Sequence, residues 1–205
     1  MDRRDVIKSM SLALGYSLTP AALTTLLSSC VQKGTVDWSP VFLSADEAFA
    51  VEQLAEVFLP KTEIPGAKDV RAIAFLDAFI SDIMKPADQD KFRLGLNHWI
   101  KKFEVRIDKS IAYATAEDFK ADLKSYFDIS KERQTEIKEL LNTIEPGEET
   151  EEYFIYSFLF KVKNLAMFGF YASEEIGENV LSYLPIPENY QGCIPVEQIG
   201  NAWSL

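Results

Sequence analysis

The sequence predicts an all-α fold: one domain resembling a helical bundle, followed by a long irregular C-terminal tail. Three observations carry this. Apolar residues recur at helical spacing in one segment after another. Almost no stretch alternates polar and apolar residues as a strand does, and no internal repeat is found. Prolines stand between the periodic segments and then gather near the end, where they forbid a continuous helix.

The segments follow in order. "LSADEAFAVEQLAEVFLP" predicts a helix with Ser44 as N-cap and Glu47 three residues on, a capping box, with Val51, Leu54, Ala55 and Phe58 as its apolar stripe and Pro60 as its stop. "PKTEIPGAKD" reads as a loop. A second helix, about 69–85, presents Ile73, Leu76, Ile80 and Ile83 and ends at Pro86. A third, about 87–108, presents Phe92, Leu96, Trp99, Ile100, Phe103 and Ile107. Two further amphipathic helices span Thr115 to Phe127 and Ser130 to Ile144. "EPGEETEE" is an acidic loop that lacks calcium-ligand spacing. "YFIYSFLFKVKNLAMFGFYASEEIG" is apolar nearly all round, and Lys161, Lys163 and Asn164 interrupt it, so it predicts a central buried helix rather than a membrane span. The tail, about 178–205, is too rich in aromatics for a disordered end. Two roles are open to it: packing over its own helices, or presenting anchors to another protein.

The first 29 residues differ in character. Arg3, Arg4 and Lys8 open the chain, and a moderately apolar run from Met10 to Leu27 follows, broken by Gly15, Ser17, Thr19, Pro20, Thr24 and Thr25. That order is the order of a bacterial export signal. The paired arginines of "RRDVIK" resemble the twin-arginine signal, which carries folded cargo; a general secretory signal is the other reading. "LSSC" resembles a lipoprotein box, making Cys30 the expected lipid attachment point and new N-terminus. A structural cysteine paired with Cys193 is the alternative. Residues 30–42 then read as a lipidated tether and 43–205 as the domain.

Residues 1–29 carry three basic and two acidic side chains, so the remaining 176 residues have a net charge of −12. That acidity argues against nucleic acid or anionic lipid as a direct partner. With Cys30 acylated, Cys193 is left as a buried thiol or a cysteine that pairs with another chain. The single histidine, His98, lies on a helix and is more often a satisfied residue than a ligand. One His and one free Cys assemble neither a His-rich metal site nor a catalytic triad, and no Cys-x-x-Cys-His or dinucleotide fingerprint is present. No catalytic, cofactor-binding or metal-ligating residue is therefore expected.

"FKVKNLAMFGFYASEEIG", "LSYLPIPENYQGCIP" and the closing "GNAW" resemble the gluconate 2-dehydrogenase subunit 3 family, as does "LSADEAFAVEQLAEVFLPKTEIPGAKDV" near the start. Tyr171, Ser173, Glu174, Gly177, Tyr183, Pro185, Pro187, Tyr190, Gly192 and Cys193 fall in step; the likeness is weakest from about 87 to 150. The resemblance implies a small non-catalytic subunit that binds, co-exports and tethers a flavoprotein of the glucose–methanol–choline type. FAD would sit in that partner, and a c-type cytochrome often receives the electrons. Phe170, Tyr171, Glu174, Tyr183, Tyr190, Cys193 and Trp203 are the expected partner interface. A lipid-anchored glycan- or solute-binding protein is the competing reading, and an enzyme whose site is shared with a partner is a third.

Overall fold

The helices start where side chains can replace missing backbone partners. The computed structural model describes residues 33–145, 147–183 and 193–204; Arg3, Arg4, Lys8, Cys30 and Tyr190 lie outside them. α1 spans Ala45–Phe58 behind the expected capping box, in which the Ser44 amide donates to Glu47 Oε2 at 2.7 Å and Ser44 Oγ accepts from the Glu47 amide. The loop after it is ordered by carboxylates. Glu56 accepts from the amides of Lys61 and Lys68, and Asp69 accepts from the Gly66 amide and Lys61 Nζ.

α2 spans Ala72–Asp82, starting later than the periodicity predicts because Arg71, at φ 53°, breaks the helical path. Ile83, expected on its buried stripe, lies just past the helix and is 66 % exposed. α3 spans Pro86–Ile107 with the proline at its first position, where a missing amide costs nothing. Gln89 reaches back from α3 to cap α2, donating from Nε2 to the Ile80 carbonyl at 2.7 Å. A 3-10 helix, Ile111–Tyr113, leads to α4, Ala116–Phe127, capped by Thr115, and α5, Lys131–Thr143, capped by Ser130.

α6 spans Glu151–Tyr171, and α7 spans Glu174–Asn179. The single helix expected there is interrupted at Ser173, whose hydroxyl donates to the Phe170 carbonyl (2.7 Å) and accepts from the Ile176 amide. One side chain both closes α6 and opens α7. A short α8, Val196–Ile199, lies in the tail.

α3 against α6 is the most extensive helix pair, followed by α2 against α6. Gly95 makes the first crossing close: a Cβ there would come within 2.4 Å of the Phe154 carbonyl oxygen. The core beside it is aromatic, with Trp99, Phe103, Phe119 and Phe158 fully buried and the Phe103 and Phe119 rings stacked at 4.8 Å.

The largest departure from expectation is at residues 34–42. They are not a free tether but a strap bound to the domain, and Gly34–Leu205 form one compact unit. The buried Asp77 carboxylate accepts from three consecutive strap amides, Val41 at 2.6 Å, Phe42 at 3.2 Å and Leu43 at 2.7 Å. Arg93 clamps the same turn, donating to the Phe42 carbonyl at 2.7 Å, pairing with Glu47 and lying 4.2 Å over the Phe42 ring. Trp38 Nε1 donates to the buried Glu52 at 3.1 Å, while Glu52 Oε2 lies 3.3 Å from Lys68 Nζ without hydrogen-bond alignment.

Candidate partner-binding face

Where α2 meets α6, three phenylalanines cluster, two of them exposed and the third, Phe79, half-buried against the core. Phe75 and Phe168 meet edge to face at 5.4 Å, and Phe79 contacts both, at 6.0 Å and 6.4 Å. Phe168 is 51 % exposed and Phe75 38 %. Tyr171, also exposed, follows Phe168 by three residues and so extends the same helix face. These rings were not among the expected interface residues. The signal was present in the sequence: Phe75 and Phe79 form an apolar pair at i, i+4 outside the Ile73–Leu76–Ile80 stripe, more apolar surface than one buried face uses.

Gly169 sets the geometry of this face. A Cβ there would lie 2.7 Å from Phe75 Cδ1 and 3.1 Å from the Ala72 carbonyl oxygen. Gly169→Ala is expected to cost about 1 kcal/mol net, overpacking outweighing the gain in helix propensity. Urea unfolding measures it, and an unchanged or raised midpoint refutes the close-packing argument.

The expected interface residues divide. Phe170 is only 5 % exposed and packs in the hydrophobic core, which removes it from the surface; the helical turn that points Phe168 outward turns its second neighbour inward. Glu174 is exposed in the first turn of α7. Tyr183 and Trp203 are half exposed, and Cys193 is an exposed free thiol rather than a buried one. The tail returns to the chain beyond α7: the Ser182 amide donates to the Ala202 carbonyl (2.8 Å), the Ser204 amide to the Ser182 carbonyl (2.9 Å), and Asn201 Nδ2 to the Val180 carbonyl (2.6 Å). This pairing sets Tyr183 and Trp203 on adjacent stretches, so the tail both packs and presents aromatics.

His98 has ordinary partners. Its Nδ1 lies 3.4 Å from Glu151 and its ring stacks on Phe154. Among the described residues, no three His, Cys, Asp or Glu side chains converge as a metal site, and no helix is long and apolar enough to cross a membrane. An apolar recess of about 280 Å³ opens between α4, α5 and α6, lined by Tyr126, Phe127, Ile137, Tyr156 and Phe160 among others.

The family model for gluconate 2-dehydrogenase subunit 3 matches residues 45–187. The chain belongs to that family. The family is by name a subunit of a dehydrogenase complex. No curated protein and no solved structure matches the chain. The match runs from the first residue of α1 through α7, and includes the stretch from 87 to 150 where the motif resemblance is weakest. All three clustered phenylalanines of this subunit 3 chain fall inside it. The strap precedes it, and Tyr190, Cys193 and Trp203 follow it.

Proposed function

We propose that this chain is a non-catalytic small subunit that binds a FAD-containing dehydrogenase of the glucose–methanol–choline type, accompanies it through export and tethers it to the membrane. The family membership and the exposed Phe75 and Phe168 rings, backed by half-buried Phe79 within the matched span, support the binding role. Aromatic side chains give large contact area for little rotamer entropy, as interface hot spots do. Tyr171, Glu174, Tyr183, Cys193 and Trp203 add a second set of contacts, with Tyr190 beyond the described residues. The twin-arginine pattern at Arg3 and Arg4 supports export with a folded partner, and the lipoprotein box supports acylation of Cys30 on the periplasmic side of a bacterial membrane. A c-type cytochrome is the expected electron acceptor of the complex, and no nucleic acid is involved.

Co-expression with the flavin subunit tests the binding role. The wild-type chain is expected to recover a yellow complex. Phe168→Ser, at an exposed position, should leave the helical spectrum unchanged and weaken the complex by about 2 kcal/mol. A complex of undiminished affinity removes this face from the interface. Cys30→Ala is expected to leave an unprocessed or soluble precursor; if that variant is processed and stays with lipid, the lipoprotein reading is wrong.

The aromatic recess beside Tyr126 and Tyr156 favours a second reading, a lipid-anchored glycan- or solute-binding protein. Saccharide binding by the isolated chain, with no flavoprotein recovered, would favour it over the first.

A further inference from the structure

We infer that the end of the domain formed by the last turns of α3 and the 3-10 helix faces the membrane surface, held there by a very short leash. The inference rests on the lipoprotein reading of Cys30 proposed above.

Gly34 is the point at which the chain joins the domain. Its amide donates to the Ala112 carbonyl at 2.8 Å, and a Cβ on it would lie 2.2 Å from the Phe49 ring. Only hydrogen fits there, so the backbone lies directly against the domain. From Gly34 the strap runs toward the N-terminal part of α3, where Asp77 and Arg93 hold residues 41–43. It is bound at both ends and has no slack to release. The leash is therefore the three residues between Cys30 and Gly34, four Cα-to-Cα steps that span at most about 14 Å when fully extended. An acylated cysteine keeps its chains in the hydrocarbon and its backbone at the headgroups. The 3-10 helix is thus confined to the neighbourhood of the bilayer, whereas α3, at 22 residues, carries its first turn roughly 30 Å away along its axis.

The chemistry of this end suits the position. Val105 on α3 is 78 % exposed and Tyr113 on the 3-10 helix is also exposed, an aliphatic and an amphipathic side chain of the kind that tolerates an interface. Residues 97–118 carry Lys101, Lys102, Arg106 and Lys109 against Glu104, Asp108, Glu117 and Asp118, a net charge of zero in a chain of −11. An anionic headgroup layer therefore repels this end less than the remaining surface.

The test uses the full, lipidated chain in phosphatidylcholine–phosphatidylglycerol vesicles that contain a headgroup-labelled acceptor lipid. A donor fluorophore is placed on Val105→Cys or on Ala87→Cys, each in a Cys193→Ser background. Both sites are exposed on α3, and they lie about 27 Å apart along its axis. Energy transfer at equal acceptor density is expected to be at least twofold stronger from Val105. Equal transfer, or stronger transfer from Ala87, in protein that floats with the vesicles overturns the orientation alone. Protein that does not float refutes lipid attachment, and the orientation falls with it.

Discussion

Asp77→Ala is expected to destabilise the domain by about 4 kcal/mol and to release the strap. Asp77 is almost fully buried on α2, and its carboxylate is the shared acceptor for the amides of Val41, Phe42 and Leu43. Hydrogen bonds to a charged group contribute about 1.5–3 kcal/mol each, and stranded buried amides cost a similar amount. The total is capped because the strap can escape to water instead of leaving three donors unpaired. Escape also exposes Trp38, Phe42 and Leu43, which pack against or within the core. Two measurements check this: urea unfolding, and limited proteolysis between 34 and 43. A loss below about 1 kcal/mol with the strap still protected shows that Arg93 and the apolar contacts suffice. If the strap opens and the lipid remains, the leash lengthens by about ten residues, and the contrast between the Val105 and Ala87 probes should shrink accordingly.

Asp122→Ala is expected to cost about 3 kcal/mol, at the lower end of the range for breaking a buried ion pair. Asp122 is buried on α4, where it accepts from Trp99 Nε1 at 2.9 Å and pairs with Arg106, which also donates to Ser125 Oγ. Removing the carboxylate orphans an indole N–H inside the aromatic core. Arg106 suffers less, because its side chain is 42 % exposed and can turn its charge to water. Burial pushes the Asp122 carboxyl above the usual carboxylate range, against the pull of Trp99 and Arg106. A raised value in the folded state means that the folded chain binds the proton more tightly. The linked stability is therefore fully present below the unfolded carboxyl's value and is lost as pH rises through the folded one. Comparing Tm against pH for wild type and Asp122→Asn isolates this contribution. A wild-type curve that rises relative to the variant over that window reverses the assigned direction.

The starts of α1, α4 and α5 were legible in the sequence because capping is local. Ser44 with Glu47, Thr115, and Ser130 each supply a side-chain acceptor to amides within three residues, and Pro60 removes a donor wherever the chain goes. The all-α class and the aromatic stripe of α3 followed from periodicity, which needs no partner to be read. Pro86 was read as the end of one helix; the structure makes it the first residue of the next.

What only the tertiary structure decided concerns direction and distance. Periodicity marks α6 as apolar nearly all round, yet Phe168 faces outward and Phe170 inward, because α2 approaches through Gly169 on one side only. Ser173 looked like one more residue of a long helix, and its two hydrogen bonds make it a hinge point between two. Residues 34–42 lack any helical period, so the sequence alone read them as a tether. Their order comes from Asp77, more than thirty residues away, and from Arg93, about fifty away. A carboxylate that satisfies three distant amides leaves no mark in local sequence, since its partners are backbone groups common to every residue.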